Sequence, residues 1–501
     1  MVRIKSLNQS WTIRNKPNEL IDATSNEHEN EPQKTIHFQS AIPATIFPNL
    51  IARKRNEHPF FGDNEHKVKW VYYQDWEFST LFSFDAEFLS HNFFILQFQA
   101  LDTFCRIQFN GISLATTKNM YRIYEFSIPK ELLKEKDNEL ILLFKAPGAV
   151  ADETIAHYPI YQKEEIPWSC LSCLRKAQYS YGWDWGPILP DIGIWKPVTF
   201  IAYDLVRITG TGIDTSLSNS EAAPFSYNSA KINLKVFLDL PSGEIPEGIT
   251  INYRVIEENT QRTVKEFKKS LAGYIIERVK YERERRFIEE AFMIEDPKIW
   301  WTRDLGDQPL YKLQIEISAR DQVIESEAKR FGIREIELIR RKDRYGESFF
   351  FTINNISIFS KGANWIPALS FLQDPQYSTL EAVHLTAAKD ANFNMLRIWG
   401  GGVYGMDSLY EFCDRNGILI WQDFQFAQGV FPNDESWKLN VAEEALNNTI
   451  RISGHPSLAL WCGNNELEGG YRAREGTLNQ LGIKKVNIKF FDLHIHPHDT
   501  Q

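Results

Sequence analysis

The chain has 501 residues, 43% of them hydrophobic, 24% charged and 13% aromatic, with 14 Trp and a formal net charge of -10. A single core does not grow to that length, so about three domains are expected. The acidic balance argues against a nucleic-acid binder, and the absence of an apolar run of about 18 residues argues against a membrane span.

The N-terminus, Met1 to Lys5, leads to Leu7 and Trp11 through polar residues, with no apolar segment of a secretory signal. The five cysteines, Cys105, Cys170, Cys173, Cys413 and Cys462, are too few and odd in number for a disulfide framework. Both features fit a cytoplasmic protein. Cys170 and Cys173 form a CxxC without a second Cys pair or a nearby His, so neither zinc nor redox chemistry is expected there.

From Trp70 to about Phe200 the pattern is short strands. Phe93–Phe98 and Phe104–Phe109 are apolar runs, and Asn110-Gly111 after the second is a hairpin turn signal. Leu140–Phe144 is a further strand. This spacing predicts a jelly-roll sandwich over residues 1–205. From Val206 to Arg330, Ile232–Leu238 and Leu313–Ile317 alternate in period two, with Pro-Gly turn chemistry between them. An immunoglobulin-like sandwich is expected over residues 206–330.

The rhythm then changes. Ile356 to Lys361 reads as a first apolar strand, Asn394–Trp399 as a second, Ile418–Trp421 as a third and Leu458–Trp461 as a fourth. Helices are expected over Ser378–Asp390, Asp407–Asn416 with Gly417 as C-cap, and Ser436–Ile452. Continuous apolar strands alternating with amphipathic helices mean a parallel sheet covered on both faces. Four such units, over residues 331–471, make half of a (β/α)8 barrel. Residues 472–501 read as an irregular tail whose three alternating histidines suit a polar end better than a metal site.

The segment Trp461-Cys462-Gly463-Asn464-Asn465-Glu466 follows the fourth strand, at the end where barrel enzymes place catalytic groups. A lone Asn-Glu would read as an exposed loop. At this position, beside Trp, apolar walls can keep a carboxyl protonated and ready to donate to a leaving oxygen. Trp183 and Trp399 read equally as core residues or as pocket walls.

At these residues the chain resembles glycoside hydrolase family two, and within it the β-mannosidases. The resemblance rests on several segments: Gln178-Tyr179-Ser180-Tyr181-Gly182-Trp183-Asp184-Trp185-Gly186-Pro187, Trp300-Trp301, Gln308-Pro309-Leu310-Tyr311 and Phe331-Gly332-Ile333-Arg334. It continues through Lys361–Pro367, Leu396–Gly402, Trp421–Phe424 and Asn465-Glu466. It implies an exo-acting, retaining enzyme that releases terminal β-mannose from β-mannosyl oligosaccharides, in carbohydrate and glycoprotein catabolism, with no cofactor and no metal. It implies Glu466 as general acid/base and Trp183, Asp184, Asn364, Trp365, Trp399 and Asn465 as substrate-binding residues. Arg397 would either pin the carboxylates or cap a packing layer. Leu369, Gln428 and Gly429 depart from the family pattern at the rim. The family's nucleophile, a Glu late in the barrel, has no counterpart before Gln501, since Glu468 and Glu475 are unsuitably placed. The expectation is therefore a fragment nearly inactive alone. A non-catalytic glycan-binding fragment, β-galactosidase, β-glucuronidase and exo-glucosaminidase remain alternatives.

Overall fold

The computed structural model describes residues 1–16, 36–157, 172–219, 227–245, 247–429 and 431–467. Cys170, Glu468, Glu475 and the histidines of the tail lie outside them. Among the described residues no helix is long and apolar enough to cross a membrane.

Two antiparallel sheets open the chain. A six-stranded sheet has the spatial order His37–Ser40, Trp11–Lys16, Asp75–Phe82, Asn138–Phe144, Phe104–Phe109, Ile112–Lys118. A four-stranded sheet has the order Arg3–Ser6, Val198–Tyr203, Phe93–Phe98, Tyr124–Ser127. Alternation decides which residues face inward. Cys105, Ile107 and Phe109 are buried, while Phe104, Arg106 and Gln108 are not. Trp11, Trp76, Phe78, Phe98, Phe144 and Phe200 share one core between the sheets. Asn110 (φ 47°) and Gly111 (φ 80°) form the two-residue turn that pairs Phe109 with Ile112. Positive φ at both centres matches the twist of a hairpin, which Asn-Gly tolerates.

A second pair of four-stranded antiparallel sheets follows. One runs Arg207–Asn219, Tyr227–Asp239, Glu284–Glu295, Glu277–Lys280, and the other Arg262–Ser270, Ile249–Glu257, Tyr311–Ala319, Gln322–Phe331. In Ile249–Glu257 every second residue is buried, and Ile251, Tyr253 and Val255 meet Ile232, Leu234 and Val236 in a separate core.

The third unit holds a parallel sheet in the order Gly362–Trp365, Met395–Ile398, Leu419–Asp423, Leu458–Cys462. Helices Tyr377–Asp390, Asp407–Asn416 and Glu435–Ile452 connect these strands. Antiparallel sheets followed by an α/β unit agree with the fold class read from the sequence. Gly417, at φ 64°, ends the second helix in the left-handed conformation of a C-cap glycine.

One strand was misplaced by the sequence reading. Ile356–Ile358 belongs to an antiparallel three-stranded sheet with Phe350–Ile353 and Ile336–Ile339. Asn354 (φ 47°) and Asn355 (φ 67°) form its hairpin turn. The first parallel strand is Gly362–Trp365, which carries no apolar run because it is short and its first three residues are exposed. Gly362 is required there: a Cβ would lie 1.7 Å from the Met395 carbonyl oxygen.

Candidate active site

All four parallel strands end at one place, and the Arg397 guanidinium ties them together. From the second strand, Nε and Nη2 donate to Asp423 Oδ1 and Oδ2 of the third, at 3.2 and 2.7 Å. Nη2 also donates to Asn465 Oδ1 beyond the fourth strand, at 2.9 Å. Nη1 reaches Asn364 Oδ1 of the first, at 3.3 Å. Five donors in a fixed plane allow one side chain to hold three partners. Of the two roles left open for Arg397, the geometry pairs it with Asp423 and Asn465 and not with Glu466.

Asp423 is fully buried. Burial pushes its carboxyl above the usual carboxylate range, opposed by Arg397, by the Gly400 N–H at 3.0 Å and by the Trp421 indole N–H at 3.0 Å. Every lone pair it presents is directed at a strand-end partner, so its role is to hold the mouth together.

Asn465 is buried and fixed by backbone on both sides. Its N–H donates to the Phe426 carbonyl at 2.7 Å, and its carbonyl accepts from the Gln428 N–H at 3.0 Å. Glu466 follows in the left-handed region (φ 59°) and is exposed. Its Oε2 accepts from Gln428 Nε2 at 2.6 Å and from Asn465 Nδ2 at 3.4 Å. Its partners are therefore amides, where the sequence reading expected apolar walls. Gln428, noted only as a departure from the family pattern, is its nearest hydrogen-bond donor.

The first sandwich supplies a wall. A loop from Ala177 to Trp185 lies over the strand ends and is bonded to their backbone. Tyr179 N–H donates to Gly401 O at 3.0 Å. The Gln178 amide accepts from Ala427 N–H at 2.9 Å and donates to Ala427 O at 2.7 Å. Tyr121 Oη donates to Gly402 O at 3.1 Å. Gly182 (φ 97°) and Trp183 (φ 53°) turn the loop, so that the Trp183 ring meets Trp399 edge-on at 5.0 Å. Trp185 stands 6.1 Å from Trp399 and is half exposed. Asp184 is exposed and, among the described residues, has no hydrogen-bond or ion-pair partner. Its acceptors are open to a ligand.

The structure thus joins Trp183 to Trp399, and Asn364 to Asn465 through Arg397. Trp365 is half-buried and packs edge-on against His384 at 6.3 Å.

Sequence reasoning missed what holds the sandwich in place. Arg175 and Glu444 form a buried bidentate pair, with Nε to Oε2 at 2.9 Å and Nη2 to Oε1 at 2.5 Å. Asn119 Nδ2 and Tyr404 Oη complete the carboxylate at 2.9 and 3.0 Å. The available signal was a Glu-Glu pair inside a helix whose neighbours Val441, Ala445 and Leu446 all face inward.

Residues 11–196 match the family described as "Glycosyl hydrolase 2 galactose-binding domain-like", and residues 206–334 match "Glycosyl hydrolases family 2". The chain is 31% identical over 427 residues to Beta-mannosidase B of Emericella nidulans, covering 85% of the chain and 48% of that protein. It is 29% identical over 470 residues to Beta-mannosidase of Capra hircus, covering 89% and 50%. The crystal structure of Beta-D-Mannosidase from Dictyoglomus thermophilum superposes with a TM-score of 0.79 at 34% identity, over 93% of this chain and 52% of that one. The chain spans about half the length of the curated relatives it matches. With both sandwich regions matched and a β-mannosidase superposing over nearly all of its length, the chain belongs to glycosyl hydrolase family 2.

Proposed function

We propose that the chain forms the glycone-binding and proton-donating side of a β-mannosidase, which cleaves terminal β-linked mannose from oligosaccharides. The observation that carries this reading is the docking of the Ala177–Trp185 loop on the strand ends: Gln178 is bonded to Ala427, next to the Gln428 that holds Glu466, and the Trp183 ring meets Trp399. The named β-mannosidases to which the chain is similar support the choice of mannose.

In this reading Glu466 hands its proton to the departing glycosidic oxygen and then takes one from water. Asn465, with its oxygen held by Arg397 and one Nδ2 hydrogen directed at Glu466, has its second Nδ2 hydrogen for a sugar hydroxyl, a contact that strengthens in the transition state. The Asp184 carboxylate accepts from two further hydroxyls, and the half-buried indole of Trp183 covers the apolar face of the ring, with the buried Trp399 packed edge-on against it as the wall behind. Asn364, which Arg397 bonds, and Trp365 beside it in the same strand would touch the sugar next along. A retaining reaction also needs a second carboxylate roughly 5 Å from the first. Asp423 is not that group, since all its contacts are to Arg397, Gly400 and Trp421.

Two measurements test the reading. The chain should bind an unreactive aryl thio-β-mannoside saturably and in preference to the galactoside, glucoside and glucuronide analogues, and Asp184→Ala should weaken that binding at least tenfold. In the protein that carries this chain, Glu466→Ala should slow hydrolysis of phenyl β-mannoside far more than that of the dinitrophenyl compound, whose leaving group needs no proton. Equal loss on both substrates, or no preference for mannose, would sink it.

A further inference from the structure

A cavity of about 800 Å³ lies at the opposite end of the parallel strands from Glu466. Its walls are the hairpin turn at Asn259, the loop from Trp301 to Leu310, and Arg415 in the last turn of helix Asp407–Asn416. The Arg303 N–H donates to Gly417 O at 3.0 Å, which fixes that loop beside the start of the third parallel strand. The volume falls within the roughly 300–1,000 Å³ of small-molecule sites.

The lining excludes an anionic ligand. Lys298 is paired with Glu257, and Arg415 Nη2 is paired with Glu258 Oε1 at 3.1 Å. The cations are therefore already matched. Asp307 and Asn259 are different: both are exposed, and among the described residues neither side chain has a hydrogen-bond partner. A free carboxylate calls for hydroxyl or amide donors, and a free amide both gives and accepts. The half-buried indole of Trp301 lines the same cavity and offers a flat apolar surface.

The loop is set before any ligand arrives. Trp301 N–H donates to Asp307 O at 3.0 Å, and Gln308 Nε2 donates to the carbonyls of Trp301 and Gly306 at 3.2 and 2.5 Å. Gly306 packs so closely on the indole that a Cβ there would lie 3.0 Å from Trp301 Cδ1. A ligand would meet Trp301 and Asp307 in a fixed relation, without the cost of ordering a loop.

We propose that this cavity is a second carbohydrate site, taking a neutral oligosaccharide of two or three units. The Trp301 indole stacks on a sugar face, while Asp307 and Asn259 bond its hydroxyls. The site is separate from the mouth and does not rest on the chemistry assigned to Glu466.

The test is calorimetric titration of the full chain with β-1,4-mannotriose and with cellotriose, in an Asp184→Ala background that weakens binding at the mouth. Saturable binding of at least one probe is expected. It should weaken tenfold or more in Asp307→Ala/Asn259→Ala, two exposed positions whose change leaves the circular dichroism unaltered. Trp301→Phe should retain part of the affinity and Trp301→Ala less. No saturable binding of either probe would overturn the proposal, as would binding indifferent to the Asp307 and Asn259 changes.

Discussion

Replacing Arg175 by Met tests what holds the sandwich over the strand ends. Both partners of the Arg175–Glu444 pair are almost fully buried, at 3% and 1% side-chain exposure. Arg175 also donates to Gln425 O at 2.7 Å and lies 4.3 Å from the Phe426 ring centre. Met keeps much of the volume and removes the charge, leaving Glu444 with only Asn119 and Tyr404. A buried carboxylate deprived of its cation costs about 3–5 kcal/mol. Urea unfolding followed by circular dichroism should show a loss of that size. Near-ultraviolet circular dichroism should lose the signal of the coupled Trp183 and Trp399 rings, because the Ala177–Trp185 loop begins two residues after Arg175. The double variant Arg175→Met/Glu444→Gln removes the stranded charge but keeps partners for Asn119 and Tyr404, and should recover at least half the loss. A single-variant cost below about 1 kcal/mol, the range of exposed ion pairs, would refute the reasoning. So would a double variant no better than the single.

Three further outcomes follow. Gln178→Ala leaves the buried Ala427 N–H and C=O without their partner, and should cost about 1–3 kcal/mol in urea unfolding; a neutral result would show that the loop is held by Tyr179 alone. Gly417→Ala forces a Cβ to 2.4 Å from the Arg303 backbone nitrogen at φ 64°, so it should exceed the roughly 1–2 kcal/mol of left-handed strain alone; a smaller loss would mean that the Trp301–Leu310 loop yields freely. Burial raises the Asp191 carboxyl to about 6, against the Phe47 and Ile192 N–H donors and Lys176. A carboxyl raised in the folded state binds its proton more tightly there than in the unfolded chain. Its contribution is therefore most favourable below about pH 4 and is lost as pH rises through 6, a change of about 3 kcal/mol at most. Relative to Asp191→Asn, the parent should lose stability between pH 4 and 7, and parallel melting curves across that range would contradict this.

How far the sequence revealed the molecule depended on whether a signal was local. The Asn110-Gly111 turn, the Gly417 cap and the alternation of Ile249–Glu257 are decided by neighbours in the chain, and they were legible. Gly362–Trp365 was not, because nothing in Gly-Ala-Asn-Trp resembles an apolar strand; its pairing comes from the Met395 backbone 33 residues away. Asn354-Asn355 was readable in principle as a two-residue turn, and overlooking it joined Ile356–Ile358 to the wrong sheet. The candidate site divided in the same way. The position of Asn465 and Glu466 just past the fourth strand was legible, because it follows from the apolar run before them. Arg175, Glu444 and the role of Gln178 depend on contacts across about 250 residues, which no spacing rule reaches.

That division has a physical consequence for the mouth. Arg397 fixes the strand ends from within, using groups of the parallel sheet alone. The facing wall is fixed from outside, by backbone bonds from Gln178 and Tyr179 to Ala427 and Gly401. Those bonds span 2.7–3.0 Å and break if the sandwich shifts by about an ångström, since hydrogen bonds weaken steeply beyond that range. The distance from Asp184 to Asn465 is thus set by the docking of one unit on another, and the Arg175–Glu444 pair supplies the directional part of that docking. A substitution in the sandwich far from any sugar should therefore alter ligand binding as strongly as one at the mouth, provided it moves Arg175.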